Sequence, residues 1–158
     1  RRLERARARF AMVTLAPAQL QPRQWIPHRD SAWIDPTHAI AASVLYLFEE
    51  PRLGGTAFYA PRQDDLATRQ LVHDSSVLEA DAFAQRHGVA RAYPSDGGAY
   101  FERIGAVDAR WNRIVFYDGR LFHSGDIPDP ALLADDPLRG RLTLNGFFSG
   151  RADARSSS

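Results

Sequence analysis

Residues 39–59 read Ala-Ile-Ala-Ala-Ser-Val-Leu-Tyr-Leu-Phe-Glu-Glu-Pro-Arg-Leu-Gly-Gly-Thr-Ala-Phe-Tyr, and this stretch decides the fold class. Its first half, Ala39 to Phe48, is rich in β-branched and aromatic residues, which predicts a buried strand. The segment from Pro51 to Gly55 then turns the chain into a second short strand, Thr56 to Tyr59. A strand, a Pro- and Gly-containing turn and another strand are typical of a β-rich protein.

Further short extended segments lie on both sides of this pair. We predict them at residues 10–15, 23–28, 100–104, 113–117, 121–124 and 142–148, which makes eight strands with the first two. Short strands separated by Gly, Pro and Asp turns indicate a mostly antiparallel sandwich or barrel. Eight such strands match a double-sheet jelly roll.

Three regions depart from this strand pattern. Residues 61–98 form an insertion, in which we predict a helix from Val77 to Arg86, with Gly88 as its C-cap. The basic stretch Arg1 to Arg9 is interpreted as the solvated end of an N-terminal helix, and residues 150–158 as a flexible tail. The whole of residues 1–158 is interpreted as one domain, whose start at Arg1 rather than Met is consistent with a trimmed N-terminus.

The composition excludes several kinds of chemistry. There is no cysteine, which removes disulfides, thiolate nucleophiles, iron–sulfur clusters and cysteine-bound zinc, and the cytoplasm is the default compartment. All 20 basic residues are arginine, so a lysine Schiff base is excluded and any anion anchor must be an arginine. The net charge of +1 argues against a nucleic-acid partner. No apolar run is long enough to predict a membrane span.

Two separate segments carry residues that bind transition metals. Residues 25–30 read Trp-Ile-Pro-His-Arg-Asp, and residues 121–125 read Leu-Phe-His-Ser-Gly. In an extended segment, residues i and i+2 point to the same side, so His28 and Asp30 can chelate one ion. Two imidazoles and one carboxylate hold Fe(II) on one face and leave the opposite positions open, and His123 supplies the second imidazole. A surface turn with a fortuitous His-x-Asp pair is the alternative for the first segment.

An ordered set of segments resembles the Fe(II)/2-oxoglutarate-dependent oxygenases, particularly their prolyl-hydroxylase-like branch. That family is built on a double-stranded β-helix, a form of jelly roll. The resemblance covers nearly all of residues 25–148 apart from the insertion. It rests on residues 28–30 (His-Arg-Asp), 44–48 (Val-Leu-Tyr-Leu-Phe), 54–58 (Gly-Gly-Thr-Ala-Phe), 112–117 (Asn-Arg-Ile-Val-Phe-Tyr), His123 and 141–145 (Arg-Leu-Thr-Leu-Asn).

The resemblance implies a role for each matching position. His28, Asp30 and His123 are similar to the iron ligands. Arg141 is similar to the arginine that binds the distal carboxylate of 2-oxoglutarate. Thr143 and Tyr46 are similar to hydroxyl partners of that carboxylate. Asn145 shares the inward face and is a weaker candidate.

The resemblance also implies a reaction. Fe(II) would bind O2 and 2-oxoglutarate, and oxidative decarboxylation to succinate and CO2 would drive hydroxylation of a C–H bond in an amino-acid-like or peptidyl substrate. An intact Asp30 favours hydroxylation over halogenation, because halogenating relatives vacate the carboxylate position for a halide. The protein contributes positioning and shielding, while the iron and co-substrate perform the difficult step.

Other interpretations stay open. A cupin-like metalloenzyme that does not use 2-oxoglutarate would keep the barrel but would not need Arg141 as an anchor. A non-catalytic jelly-roll module would bind a carbohydrate or peptide through aromatic residues, namely Trp25, Trp33, Phe58 and Trp111. Tyr46 and Thr143 are also consistent with structural roles. The remaining histidines are interpreted as surface or loop residues; they are His38, His73 and His87.

Overall fold

The computed structural model describes residues 2–30 and 38–151. Within these ranges the chain forms seven β-strands and two α-helices, with short 3-10 turns between them. The strands are β1 (Arg2–Val13), β2 (His38–Tyr46), β3 (Thr56–Pro61), β4 (Phe101–Val107), β5 (Ile114–Asp118), β6 (Phe122–Gly125) and β7 (Arg141–Arg151), and the helices are α1 (Asp65–Val77) and α2 (Ala80–His87).

The strands form two antiparallel sheets. The first has the order β1-β7-β2-β5 and the second the order β4-β3-β6. An isolated antiparallel bridge between His28 and His123 adds the segment before residue 31 beside β6. The prediction of a mostly β, antiparallel protein is confirmed.

The strand pairs are nested along the sequence. β1 pairs with β7, the His28 segment with β6, β2 with β5 and β3 with β4, from the outermost pair to the innermost. The pairs β2–β7 and β3–β6 then join alternate levels: the first with the third, and the second with the fourth. The chain therefore folds back on itself as one long hairpin, whose alternate levels fall into two sheets.

The N-terminal stretch is a strand, and the prediction of a helix end was wrong. β1 pairs with β7 from Arg2 opposite Arg151 to Val13 opposite Arg141, with one irregularity near Glu4. Residues 5–10 alternate strictly between arginine and an apolar residue, so each type occupies one face of the strand. This period of two fits a sheet edge, whereas the prediction of a helix end rested only on the charge of the segment.

Other predicted boundaries need smaller corrections. Residues 23–28 are not a continuous strand, because Pro22–Gln24 is a 3-10 turn and only His28 makes a strand-like bridge. Gln21 and Gln24 cap this turn with reciprocal backbone and side-chain hydrogen bonds, which compete with extension. At the other end, β7 includes Gly150 and Arg151, two residues that we had assigned to the tail, and residues 152–158 lie outside the described ranges.

Both helices lie within the predicted insertion, residues 61–98. The predicted helix from Val77 to Arg86 is partly wrong, because α1 ends at Val77 and α2 begins at Ala80. The predicted C-cap is confirmed: Gly88 has φ of 64°, the left-handed conformation that ends a helix at low cost for glycine. Neither helix in the described ranges is long and apolar enough to span a membrane.

Two hydrophobic clusters hold the layers together. One lies between the sheets, which face each other through contacts such as Tyr46 with Thr56. The other lies between the outer face of the second sheet and the helices, and it contains Leu20, Trp25, Ile26, Ala57, Tyr59, Leu71, Phe83, Phe101 and Phe122. The helical insertion thus supports the sheet that carries His123.

Truncating the centre of this outer cluster should destabilise the protein. Phe83 on α2 is fully buried and packs edge-on against Trp25, with ring centroids 5.8 Å apart. We expect Phe83→Ala to lower the free energy of unfolding by about 3–5 kcal/mol, through lost burial and the cavity left behind. Urea denaturation measures this loss. Leu66→Ala, at an exposed site on α1, is the control and should change stability by less than about 0.5 kcal/mol; equal losses would contradict the packing described.

Candidate metal centre

Backbone pairing sets the two predicted histidine ligands side by side. The His28 amide donates to the His123 carbonyl, and the His123 amide donates to the His28 carbonyl, each over 2.9 Å. Residues that exchange both hydrogen bonds lie directly opposite each other, with their side chains on the same face. The two imidazole centroids are 4.4 Å apart.

Asp30 joins this pair from the same side. Its amide donates to the Gly119 carbonyl over 3.0 Å, which continues the extended path from His28. Its Oδ2 lies 3.5 Å from Nε2 of His123. One ligand atom from each of His28, Asp30 and His123 lies within 4.8 Å of the others, so the three residues predicted as metal ligands converge.

The tautomer of His123 is fixed by a neighbouring carbonyl. Its Nδ1 lies 2.9 Å from the backbone oxygen of Leu121, which can only accept a hydrogen bond, so Nδ1 carries the proton. The lone pair is then on Nε2, the atom that faces Asp30. A metal-binding histidine commonly has its second nitrogen held in this way, because the bond orients the ring and raises its basicity.

His28 is the exposed member of the group, whereas His123 is buried and Asp30 is half-buried. Desolvation, followed by the charge of His123, lowers the pKa of His28 to about 4. The neutral form that binds metals therefore persists under mildly acidic conditions.

Tyr117 on β5 completes the immediate surroundings. Its ring centroid lies 4.7 Å from that of His123, and its hydroxyl makes a long contact of 3.5 Å with Oδ2 of Asp30. Burial and the Asp30 carboxylate raise the pKa of Tyr117, so the phenol keeps its proton. A neutral hydroxyl beside a ligand oxygen can orient that carboxylate.

The donor set and its spacing fit a divalent transition metal. Two imidazoles and a carboxylate suit Fe(II), with positions left open for other ligands. Neighbouring ligands on one ion at about 2.1 Å are about 3 Å apart, close to the 3.5 Å between His123 and Asp30. Small side-chain rotations would close the remaining distance.

Arg141 is a buried cation that is held by backbone carbonyls. Only 5% of its surface is exposed, and its Nε and one terminal nitrogen donate to the carbonyls of Gly54 and Gly55 over 3.0 and 2.6 Å. No ion pair to Arg141 is present among the described residues. Asp126, whose charge reaches the guanidinium, is itself bound by Arg103 over 2.6 Å. The other terminal nitrogen makes no hydrogen bond to a described residue, and a guanidinium nitrogen of this kind suits an anionic acceptor.

The guanidinium lies beside β6, the strand that carries the candidate ligand His123. A β-carbon added at Gly125 would be 3.6 Å from Cζ of Arg141. Gly125 is two residues from His123 on the same strand and so on the same face, at a separation of about 6.8 Å. A short dicarboxylate is long enough to span this separation, and glycine at position 125 keeps a β-carbon from lying 3.4 Å from Ile127 and 3.6 Å from the guanidinium.

Glycine is also required where the carbonyl partners of Arg141 are placed. Gly54 has φ of 84°, and a β-carbon there would lie 1.7 Å from the carbonyl oxygen of Asp126. Only glycine permits this conformation and this close approach. The turn into β3 can therefore bring two carbonyls against the buried guanidinium.

The predicted hydroxyl partners differ in their surroundings. Tyr46 is fully buried, and its hydroxyl lies 2.7 Å from Oγ1 of Thr56. Thr143 faces the same side of β7 as Arg141, but its hydroxyl donates to the Ala11 carbonyl over 3.3 Å. Tyr46 thus lies within an existing polar pair, and the hydroxyl of Thr143 has a backbone partner. Neither contact shows a role in binding a ligand.

Comparison with known families identifies one match. The chain belongs to a family of unknown function, DUF6445. The match covers residues 1–148, so it includes every candidate ligand described above. No curated protein and no solved structure matches the chain.

The other histidines are not part of the candidate metal group. The predicted surface or loop position was wrong for one of them, His87. His87 is not a surface residue, since its side chain is only 10% exposed and bonds Oδ2 of Asp74 over 2.9 Å. Its second nitrogen lies 3.2 Å from the hydroxyl of Tyr100. His73 is exposed on α1, as predicted, and His38 lies in β2 within 3.5 Å of Glu4.

The aromatic residues proposed for a binding module do not form one surface. Trp25 is buried among the helices, and its indole donates to the Leu20 carbonyl. Phe58 packs against Tyr117 between the sheets, whereas Trp111 is exposed. Trp33 lies outside the described residues.

Several contributors to the site were missed at the level of sequence. Gly125, Thr56 and Tyr117 carry no motif of their own, although strand alternation from His123 would have placed Gly125 on the same face.

Proposed function

We propose that this protein is an Fe(II)- and 2-oxoglutarate-dependent dioxygenase that hydroxylates a C–H bond of an amino-acid-like or peptidyl substrate. One observation carries the proposal: a buried guanidinium that pairs with no described carboxylate lies near a two-histidine, one-carboxylate group. The pair matches the two ends of 2-oxoglutarate, whose keto-acid end binds a metal and whose other carboxylate needs a cation. A plain metal site would not require Arg141.

The nested strand order supports the corresponding architecture. We propose that the two sheets form a double-stranded β-helix, in which the His28 segment counts as the second of eight strands. The four nested pairs are those expected when one long antiparallel hairpin is rolled up, as in a jelly roll. The proposed ligands would then project into the space between the sheets from neighbouring strands.

The residues of this chain would position the reactants. His28, Asp30 and His123 would hold the metal, and Arg141 would neutralise the distal carboxylate while Gly125 leaves space for the carbon chain. Bound iron would supply O2 activation. One oxygen atom would enter succinate as CO2 leaves, and the other would replace hydrogen on the substrate carbon as a hydroxyl group. Tyr117 would orient the Asp30 carboxylate throughout.

Anaerobic titration tests the proposal directly. We expect a weak visible charge-transfer band when the purified protein receives both Fe(II) and 2-oxoglutarate, and no band with either alone. Succinate, which lacks the keto group, serves as the matched control and should produce no band. A protein that binds neither compound would exclude the proposed function.

One observation favours a second candidate, a cupin-like metalloenzyme that does not use 2-oxoglutarate. Arg141 already donates two hydrogen bonds to backbone carbonyls, which would suffice for a purely structural residue. This candidate predicts that the protein binds metal while 2-oxoglutarate changes neither its spectrum nor its affinity for the metal. The same titration therefore separates the two functions.

A further inference from the structure

Three arginines form a row on the face of β1 that points towards the metal site. Arg5, Arg7 and Arg9 alternate along the strand and are all exposed. They lie opposite Ser149, Phe147 and Asn145 of β7, and these three β7 residues share a face with Arg141. The arginine row therefore continues the inward surface that carries the proposed co-substrate anchor.

Two of these arginines share a groove with a proposed metal ligand. Arg5 and Arg7 line a cavity of about 180 Å³ together with Asp30. The rest of its wall is largely apolar and consists of Ile40, Phe147, Phe148 and Ser149. Since Asp30 belongs to the metal group, this groove borders the metal site, where a substrate would approach.

No described carboxylate forms an ion pair with an arginine of the row, although Asp30 lines the same groove. Some other exposed arginines do pair with acids, for example Arg120 with Asp118 and Arg139 with Asp136. Among the described residues, Arg5, Arg7 and Arg9 make no ion pair; the guanidinium of Arg9 instead lies 5.2 Å from the centroid of the Phe147 ring. Alternate residues on one strand face are about 6.8 Å apart, so three like charges repel one another unless an anion lies between them.

The polar atoms near the row also suit a ligand. Asn145 Oδ1, opposite Arg9, is buried without a hydrogen-bond partner in the described structure. A buried acceptor of this kind is costly unless a donor reaches it. The surface therefore offers cations for an anionic group, an apolar wall for a carbon chain and one acceptor for a donor.

We propose that the substrate carries a carboxylate or phosphate group, which Arg5 and Arg7 bind while its apolar part lies along Phe147 towards the metal. The inference that the bound anion is a substrate rests on the proposed function, but the anion site itself does not. It narrows the substrate class to small acids and excludes neutral compounds.

Saturation-transfer NMR with three probes of equal chain length tests the proposal. Heptanoate, hexyl phosphate and hexanol share a six-carbon alkyl stem and differ only in the head group. We expect binding of one or both anions and none of hexanol; the preferred anion identifies the head group as carboxylate or phosphate. Zn(II), which is diamagnetic, replaces Fe(II), and spectra are recorded with and without 2-oxoglutarate.

Variants locate the binding. The double variant Arg5→Gln/Arg7→Gln should raise the Kd of the anionic probe about tenfold or more, because two charge-assisted contacts are lost. The control Arg23→Gln/Arg110→Gln removes the same charge from exposed arginines that make no ion pair in the described structure, and it should bind like the wild type. Equal binding of hexanol, unchanged binding by the Arg5/Arg7 variant, or displacement of the probe by 2-oxoglutarate would each overturn the proposal.

The two proposals fail separately. The Arg5/Arg7 variant should keep the charge-transfer band with Fe(II) and 2-oxoglutarate. A wild-type protein that binds the anionic probe through these arginines but never shows the band would refute the oxygenase and leave the anion site intact. A charge-transfer band without arginine-dependent probe binding would refute the anion site and leave the oxygenase proposal intact.

Discussion

Replacing His123 with alanine is expected to abolish metal-dependent turnover and to weaken metal binding by more than about 100-fold. That factor is the upper end of the loss seen when only an outer partner of a metal ligand is removed, and here the ligand itself is lost. Asp30 and His28 would remain as a two-residue chelate from one segment. Equilibrium dialysis with Fe(II) under anaerobic conditions measures the affinity, and succinate release measures turnover.

Controls separate this effect from unfolding. The backbone hydrogen bonds between positions 28 and 123 do not depend on the side chain, so the variant should keep its far-ultraviolet circular dichroism. His123→Gln keeps most of the buried volume and tests whether lost packing, rather than lost ligation, causes the defect. His73→Ala removes an exposed histidine on α1 and should behave like the wild type. A fully active His123→Ala protein would refute the metal site.

Strand alternation explains which parts of the site could be predicted from the sequence. His28 and Asp30 are two residues apart in an extended segment, so their shared face follows from backbone geometry alone. The approach of His123, more than ninety residues later, does not follow from spacing. It depends on the reciprocal backbone bonds between β6 and the His28 segment, and only the resemblance to a known family pointed to that pairing.

Long-range pairing also explains what the sequence did not reveal. An alternating Arg-Ala segment is compatible with a solvated helix until a partner strand is known, and β7 supplies that partner from the far end of the chain. The prediction of a surface or loop position for His87 was wrong because its partner Asp74 lies on another helix. Gly125 has no chemistry of its own and matters only because Arg141 lies beside it. Each of these depends on a neighbour distant in sequence.

Arg141 gives the second large prediction, because it separates an oxygenase that uses 2-oxoglutarate from a metalloenzyme that does not. We expect Arg141→Met to raise the Kd for 2-oxoglutarate about 100-fold or more. Loss of a charge-assisted bond to a buried carboxylate costs about 3 kcal/mol, and each 1.4 kcal/mol is a factor of ten. Metal affinity should stay within about threefold, since Arg141 contacts none of the three metal ligands in the described structure.

A conservative variant distinguishes anchoring from structural support. Arg141→Lys keeps a positive charge in the same cavity, but it cannot reproduce the two bonds to Gly54 and Gly55 and still present a fork to a carboxylate. If Arg141 anchors the co-substrate, the lysine variant should recover part of the affinity that methionine loses, although both lose similar stability in urea denaturation. If Arg141 only stabilises the turn before β3, both variants should unfold more easily, and the methionine and lysine variants should have the same Kd for 2-oxoglutarate. That second result would favour the cupin-like enzyme.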